Sequence, residues 1–130
     1  MDRERYHRIM YIIAALWNWV LAVIFLILPL ISMDYFTLLG LVIPNTMLWF
    51  DCFAGLVFAF GLGFYFISES TRHNYGFIKV SAFEKTWVFV VGLLFYLTGG
   101  ASIWVVLIVS GDMIFGLLFI EDYMAIRRAS

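Results

Sequence analysis

The sequence predicts an all-α integral membrane protein, a single domain over residues 1–130 in which four helices form a bundle with antiparallel neighbours. Two observations lead to this prediction. Hydrophobic residues make up 65% of the chain and charged residues only 13%, about half the charged fraction of a typical soluble domain. Four apolar runs also approach or exceed the length of about 20 residues that crosses the hydrocarbon core of a bilayer. The bilayer is therefore the expected solvent.

Each predicted helix is an apolar run with a recognisable boundary. Pro44 precedes the second run and suits the first turn of a helix. Ser81-Ala82-Phe83-Glu84 reads as a capping box that opens the third run, and Gly99-Gly100 separates the third run from the fourth. No small-x-small cleavage site follows the first run, which we therefore interpret as a retained helix and not a signal peptide. The predicted helices cover about residues 9–31, 46–67, 82–98 and 101–123.

The basic residues predict the orientation in the membrane. All eight Lys and Arg residues fall before the first helix, in or beside the connection between the second and third, or after the fourth: Arg3, Arg5, Arg8, Arg72, Lys79, Lys85, Arg127 and Arg128. A chain with four spans places these segments on one side, which the positive-inside rule makes cytoplasmic. We therefore expect an inner-membrane protein with cytoplasmic N and C termini. On the opposite side, the apolar stretch 35–42 is too short to span and predicts an interfacial helix.

Several classes of function find no support in the residue patterns. The net charge is -1 and the basic residues are scattered, so no nucleic-acid partner is expected. Cys52 is the only cysteine, and His7 and His73 lie at the predicted cytoplasmic edge, away from any haem held at depth. The chain has no Ser-His-Asp set, Cys-x-x-Cys pair or Gly-rich phosphate loop. We therefore expect no catalytic residues, no cofactor and no metal site.

The clearest candidate site is a polar cluster inside the predicted membrane region. Asp112 lies near the middle of the fourth helix, where an ionised side chain costs about 2.5–3.5 kcal/mol on insertion scales. In a hairpin that turns at residues 99–100, Lys85 lies about one turn from Asp112. Asn18, on the first helix, has a similar depth. We predict that these three residues form a cluster that either fixes helix register through a buried ion pair or relays a proton or ion; substrate binding is the third alternative.

A second polar site is predicted near the outer leaflet. Asp51 lies two turns into the second predicted helix, with Asn45 and Thr46 above it. Thr98 and Ser102, at the outer turn of the other hairpin, are candidate hydrogen-bond partners for its carboxylate. Two alternatives remain open for this site: a carboxylate solvated at the outer interface, or a site for a solute or cation.

Small residues follow Asp51 along one face of the same predicted helix. Gly55, Ala59 and Gly63 recur at intervals of four residues after Asp51. Faces of this kind let two membrane helices approach closely. We therefore predict that this face packs against another helix.

The chain also resembles a group of small bacterial four-helix membrane proteins of uncharacterised function, which are similar to DoxX-like proteins. The resemblance rests on a sequence order that covers nearly the whole chain: an Arg-rich start, Trp17-Asn18-Trp19, Gly61-Leu62-Gly63-Phe64-Tyr65, a basic loop, Lys85 and Gly111-Asp112. It implies a bundle in the bacterial inner membrane and brings no established catalytic residues. Some DoxX-type proteins are associated with quinone-linked sulfur oxidation, but this sequence contains no redox centre of its own.

The function that the sequence favours is a non-catalytic subunit, structural or accessory, that joins other membrane subunits or associates with itself. The small extramembrane portion, the small-residue face and the lack of catalytic residue sets support this interpretation. The first alternative is an oligomeric transporter of a small solute, an ion or protons, with Asp112, Lys85 and Asp51 on the route. The second alternative is a quinone- or lipid-binding module whose aromatic side chains line an apolar pocket.

Overall fold

Across residues 2–129, which the computed structural model describes, all regular secondary structure is α-helical. The helices are α1 (Arg3–Ile31), α2 (Asp34–Leu38), α3 (Leu48–Glu69), α4 (Tyr75–Leu97) and α5 (Ile103–Ala129). By length and composition, α1, α3, α4 and α5 are each able to cross a membrane. The structure confirms the predicted all-α class and the four candidate spans. The short helix α2 lies within the apolar connection in which a short helix was expected.

The third long helix begins earlier than the capping box predicts. α4 starts at Tyr75 and not near residue 82, and Ser81 is fully buried inside it. The prediction of a helix start at Ser81 is therefore wrong. A serine and a glutamate three residues apart are also compatible with a helix interior, where residues at this spacing are neighbours on the helix surface. As a consequence, Lys79 lies within α4 and not in a connection.

Asn74 explains why α4 can begin so soon after α3. Its side-chain Nδ2 donates to the carbonyl oxygen of Ser70 (2.8 Å) and to that of Phe66 (3.1 Å), which also accepts from the backbone N–H of Ser70 at 3.2 Å. Its own carbonyl oxygen accepts from the backbone N–H of Phe77 at 2.9 Å, in the first turn of α4. One asparagine therefore both ends α3 and begins α4.

The chain divides into two compact units, and the prediction of a single domain stays a prediction. The first unit contains α1 and α3, which pack antiparallel. Phe25, near the end of α1, contacts Phe50 and Phe53, near the start of α3, with ring centroids 5.8 and 6.2 Å apart. Toward the middle of α1, Trp19 contacts Phe58 at 6.1 Å. Residues earlier in α1 therefore contact residues later in α3, as expected for an antiparallel pair.

The second unit contains α2, α5 and α4 from Ile78 onward. Glycines set the antiparallel register of α4 and α5. A Cβ added at Gly92 of α4 would lie 2.8 Å from Cγ2 of Val109, and one added at Gly116 of α5 would lie 3.2 Å from Cβ of Lys85. Residues earlier in α4 therefore face residues later in α5, and the two glycines bring the backbones close together.

The connection around α2 joins the start of α5 within the second unit. The backbone N–H of Ser102 donates to the carbonyl oxygen of Leu39 at 2.7 Å, and the Ser102 hydroxyl donates to that of Leu38 at 2.9 Å. Gly40 has a φ of 71°, in the left-handed region that favours glycine. A Cβ at Gly40 would also lie 2.6 Å from the Ser102 nitrogen.

Gly40→Ala is therefore expected to destabilise the protein more than Gly99→Ala. Both glycines have positive φ, so both alanines are strained by about 1–2 kcal/mol. Only the alanine at Gly40 meets a neighbour, because nothing lies within 4 Å of a Cβ at Gly99. Displacing Ser102 would cost about 1 kcal/mol more through the lost hydrogen bond. Thermal unfolding in detergent, followed by circular dichroism, measures the difference, and equal losses would contradict this account.

Candidate functional site

Lys85 and Asp112 form a buried ion pair between α4 and α5. Lys85 Nζ donates to Asp112 Oδ1 at 2.6 Å, and the two residues are 1% and 6% exposed. The register explains the contact. The stem of Lys85 packs over Gly116, which leaves room for a long side chain, and Asp112 lies one turn away on the same face of α5. The structure therefore brings together two of the three residues of the predicted cluster.

The short distance and the burial make this a strong charge-assisted hydrogen bond. In a low-dielectric interior, each charge depends on the other, because an isolated buried charge is very costly. The pair is therefore both a link between α4 and α5 and a place where a proton or cation would change the local charge balance.

Glu84 is a member of this site that the sequence analysis missed. Its Oε2 lies 4.0 Å from Lys85 Nζ, and its side chain is 20% exposed. Oε2 itself is buried and has no hydrogen-bond partner among the described residues. The capping-box interpretation gave Glu84 a local role at a helix start. The position beside Lys85, in an otherwise apolar run, was the signal that could have identified it.

Asp122 is a second buried carboxylate that the sequence analysis did not single out. It has no exposed surface and shares the buried face of α5 with Asp112, Gly116 and Phe119. The predicted fourth helix ended at about residue 123, which left Asp122 at a helix end. α5 instead continues to Ala129, so Asp122 lies inside the helix.

Asn18, the third member of the predicted cluster, lies in the first unit. Its side chain is almost fully buried, and Nδ2 donates to the carbonyl oxygen of Val57 in α3 at 3.1 Å. This amide therefore links α1 to α3. Lys85 and Asp112 belong to the second unit, and the prediction that Asn18 joins them stays a prediction.

Three residues of the predicted outer-leaflet site lie in the first unit. Asn45, Thr46 and Asp51 are all exposed. Thr46 acts locally, because its Oγ1 accepts a hydrogen bond from the backbone N–H of Leu48, the first residue of α3, at 3.2 Å. Asp51 lies in the first turn of α3, where a carboxylate interacts favourably with the helix dipole.

The two predicted partners of Asp51 lie in the second unit. The Thr98 hydroxyl donates to the carbonyl oxygen of Leu94 at 2.9 Å, and the Ser102 hydroxyl donates to that of Leu38. A hydroxyl has a single hydrogen to donate, and both are used by these backbone contacts. The outer-leaflet site as a group of five residues stays a prediction.

The small-residue face of α3 is exposed along most of its length. Gly55 and Ala59 are exposed, and a Cβ at Gly55 would have nothing within 4 Å. A Cβ at Gly63 would meet the Phe77 ring. α1 packs on a different face, where a Cβ at Gly61 would lie 2.5 Å from Trp19 Nε1. That the small-residue face contacts a further helix stays a prediction.

A polar groove of about 470 Å³ lies in the first unit, where α1 begins and α3 ends. Arg8 of α1, Arg72 and His73 are among its lining residues. In the second unit, Lys79 near the start of α4 lies 5.4 Å from the ring of Tyr123 near the end of α5. Arg127 and Arg128 follow Tyr123 in the last turn of α5. Within each unit, basic residues from different segments therefore lie at the same end.

Among the described residues, no group of three or more His, Cys, Asp or Glu side chains is placed to hold a metal ion. Comparison with protein families, curated proteins and solved structures gives no match for this chain. The resemblance to DoxX-like proteins therefore stays a prediction from short motifs.

Proposed function

We propose that this chain is a multi-pass protein of the bacterial inner membrane, with both termini in the cytoplasm, that moves protons or small cations as an oligomer. The observation that carries the proposal is the buried Lys85–Asp112 pair. Ionisable groups within membrane spans are costly, and they commonly mark proton and ion pathways. The pair also belongs to a site with a second carboxylate, Glu84, close to the same ammonium group.

The depth of the pair supports this proposal. At 1.5 Å per residue, Lys85 lies about 15 Å along α4 from Tyr75. By the same rise, Asp112 lies about 14 Å along α5 from Ile103. Both distances are close to half of the roughly 30 Å hydrocarbon core. A pair at this depth would face the largest desolvation cost.

The proposed orientation is supported by the basic residues. Arg8 and Arg72 line one groove in the first unit, and Lys79 and Tyr123 meet in the second. Arg127 and Arg128 follow in the last turn of α5. With these segments in the cytoplasm, the residues of the other connections carry no Lys or Arg, as the positive-inside rule requires.

The test is proton flux into liposomes that contain the purified protein, driven by a potassium diffusion potential. We expect flux above that of empty liposomes for the natural sequence and none for Asp112→Asn, because the amide cannot exchange a proton. Asp34→Asn is the matched control, since Asp34 is exposed in the short helix α2. Equal flux in the natural protein and Asp112→Asn would contradict the proposal.

A second candidate function is a non-catalytic membrane subunit, and the exposed face of α3 favours it. A further helix could approach α3 closely along the exposed face that contains Asp51, Gly55 and Ala59. At Gly55 this space is open, because no described residue lies within 4 Å of an added Cβ. Native mass spectrometry of the protein extracted gently from its own membranes distinguishes the two candidates. A hetero-complex would support the subunit, and a homo-oligomer would favour the transporter.

A further inference from the structure

We infer that Glu84 and Asp112 share one exchangeable proton, which resides on Glu84 while Lys85 is paired with Asp112. This inference deepens the proposed function, because the role of the proton in transport rests on that function. Whether Glu84 carries the proton does not depend on transport and can be tested without measuring flux.

The charges at this site favour one bound proton. Two carboxylates, Glu84 and Asp112, lie near a single ammonium group, that of Lys85. Lys85 and Asp112 both act electrostatically on Glu84. If all three groups were ionised, the site would carry one uncompensated negative charge inside a membrane span, which is costly. One bound proton makes the site neutral.

Two distances from the ammonium group determine which carboxylate carries the proton. Lys85 Nζ is 2.6 Å from Asp112 Oδ1 but 4.0 Å from Glu84 Oε2. The ammonium therefore stabilises the charged form of Asp112 more than that of Glu84. Glu84 Oε2 is also buried without a hydrogen bond among the described residues, and a buried carboxylate in that state is costly to keep ionised. The proton therefore belongs on Glu84.

Movement of the Lys85 side chain provides a way for the proton to exchange between Glu84 and Asp112. A lysine side chain is flexible and carries three N–H donors, so a small movement brings Lys85 from Asp112 to Glu84. Glu84 then releases its proton to water, and its carboxylate gains the ammonium group as partner. Asp112, from which the ammonium has moved away, takes up a proton from water. One proton is released and one is bound, the total charge is unchanged, and no oxidation or reduction is involved.

Dicyclohexylcarbodiimide tests the position of the proton, because it reacts with protonated carboxylic acids in apolar surroundings. The acid proton moves to a carbodiimide nitrogen while the carboxylate oxygen bonds to the central carbon. The acyl group then migrates to nitrogen and leaves a stable N-acylurea. Full-length protein in liposomes would be treated over a range of pH, digested and analysed by mass spectrometry.

We expect the label on Glu84 and not on Asp112, with less label at high pH. Glu69, exposed at the end of α3, is the internal control and should remain unmodified. In Asp112→Asn the ammonium of Lys85 loses the carboxylate at 2.6 Å and moves toward Glu84, so labelling of Glu84 should fall. In Lys85→Met neither carboxylate has the ammonium, so Asp112 should become labelled as well.

The outcomes separate this inference from the proposed function. Label on Glu84 in a protein without proton flux would support the shared proton and contradict transport. Flux without label on Glu84 at any pH would overturn the shared proton and leave transport standing. Label on Asp112 in the natural sequence would overturn the assignment to Glu84. The main outcome is measured on the natural protein, so it does not depend on whether any variant folds.

Discussion

Asp112→Ala is expected to lower the free energy of unfolding by about 3–5 kcal/mol, the range measured when one partner of a buried ion pair is removed. The cause is the ammonium group of Lys85, which is 1% exposed and would lose the carboxylate at 2.6 Å. Asp112 is also too deep in α5 for water to replace its carboxylate at low cost, because the side chain is 9% exposed. The loss therefore combines the missing hydrogen bond with the poorer position of the ammonium, whose other neighbouring carboxylate, Glu84, lies 4.0 Å away.

Removing both partners should cost less than removing Asp112 alone. In Lys85→Met with Asp112→Leu, no charge of the pair remains, and apolar side chains fill a similar volume between α4 and α5. Replacement of a buried pair by apolar residues is often close to neutral for stability. The double variant should therefore recover most of the stability while it shows no proton flux.

Unfolding in mixed micelles, followed by tryptophan fluorescence, measures the stability of four proteins: the natural protein, Lys85→Met, Asp112→Leu and the double variant that carries both substitutions. These four values form a double-mutant cycle, which isolates the coupling between the two residues. If the losses of the single variants simply add in the double variant, Lys85 and Asp112 do not depend on each other. If the double variant retains flux, the pair has a structural role only.

The fold class was predictable because it depends on the length of apolar runs, which can be read from the sequence without knowing any tertiary contact. A run of about 20 apolar residues specifies a candidate span whatever its neighbours are, and each of α1, α3, α4 and α5 contains one. The start of α4 was not predictable in this way. It depends on Asn74, whose side chain reaches the carbonyl oxygens of Phe66 and Ser70, and on whether Ser81 and Glu84 act as a cap or as interior residues.

The site was only partly predictable for a related reason. The depth of Lys85 and Asp112 follows from counting residues along an antiparallel hairpin that turns at Gly99-Gly100. The position of Glu84 requires the register of α4 on α5, which Gly92 and Gly116 set through contacts distant in sequence. A capping-box pattern is local, so it gave Glu84 a local explanation that concealed its place beside Lys85.

Gly61→Val is expected to lower the free energy of unfolding by about 1–3 kcal/mol, the usual cost of inserting carbon atoms into a packed interior. The added Cβ would lie 2.5 Å from Trp19 Nε1 and 3.3 Å from the carbonyl oxygen of Ala15. The Trp19 side chain can move, but the Ala15 oxygen belongs to the backbone of α1. α1 and α3 must therefore separate, and the hydrogen bond from Asn18 to Val57, now 3.1 Å long, would lengthen.

Gly55→Val is the matched control on the same helix. Gly55 and Gly61 point about 120° apart around α3 at 3.6 residues per turn, and nothing lies within 4 Å of a Cβ at Gly55. We expect this variant to keep its stability as a monomer in detergent, whereas it would weaken assembly if the exposed face of α3 contacts another helix. Unfolding and native mass spectrometry on both variants separate these effects. Equal destabilisation of the two monomers would mean that the valine side chain itself, and not the contact of α1 with Gly61, causes the loss.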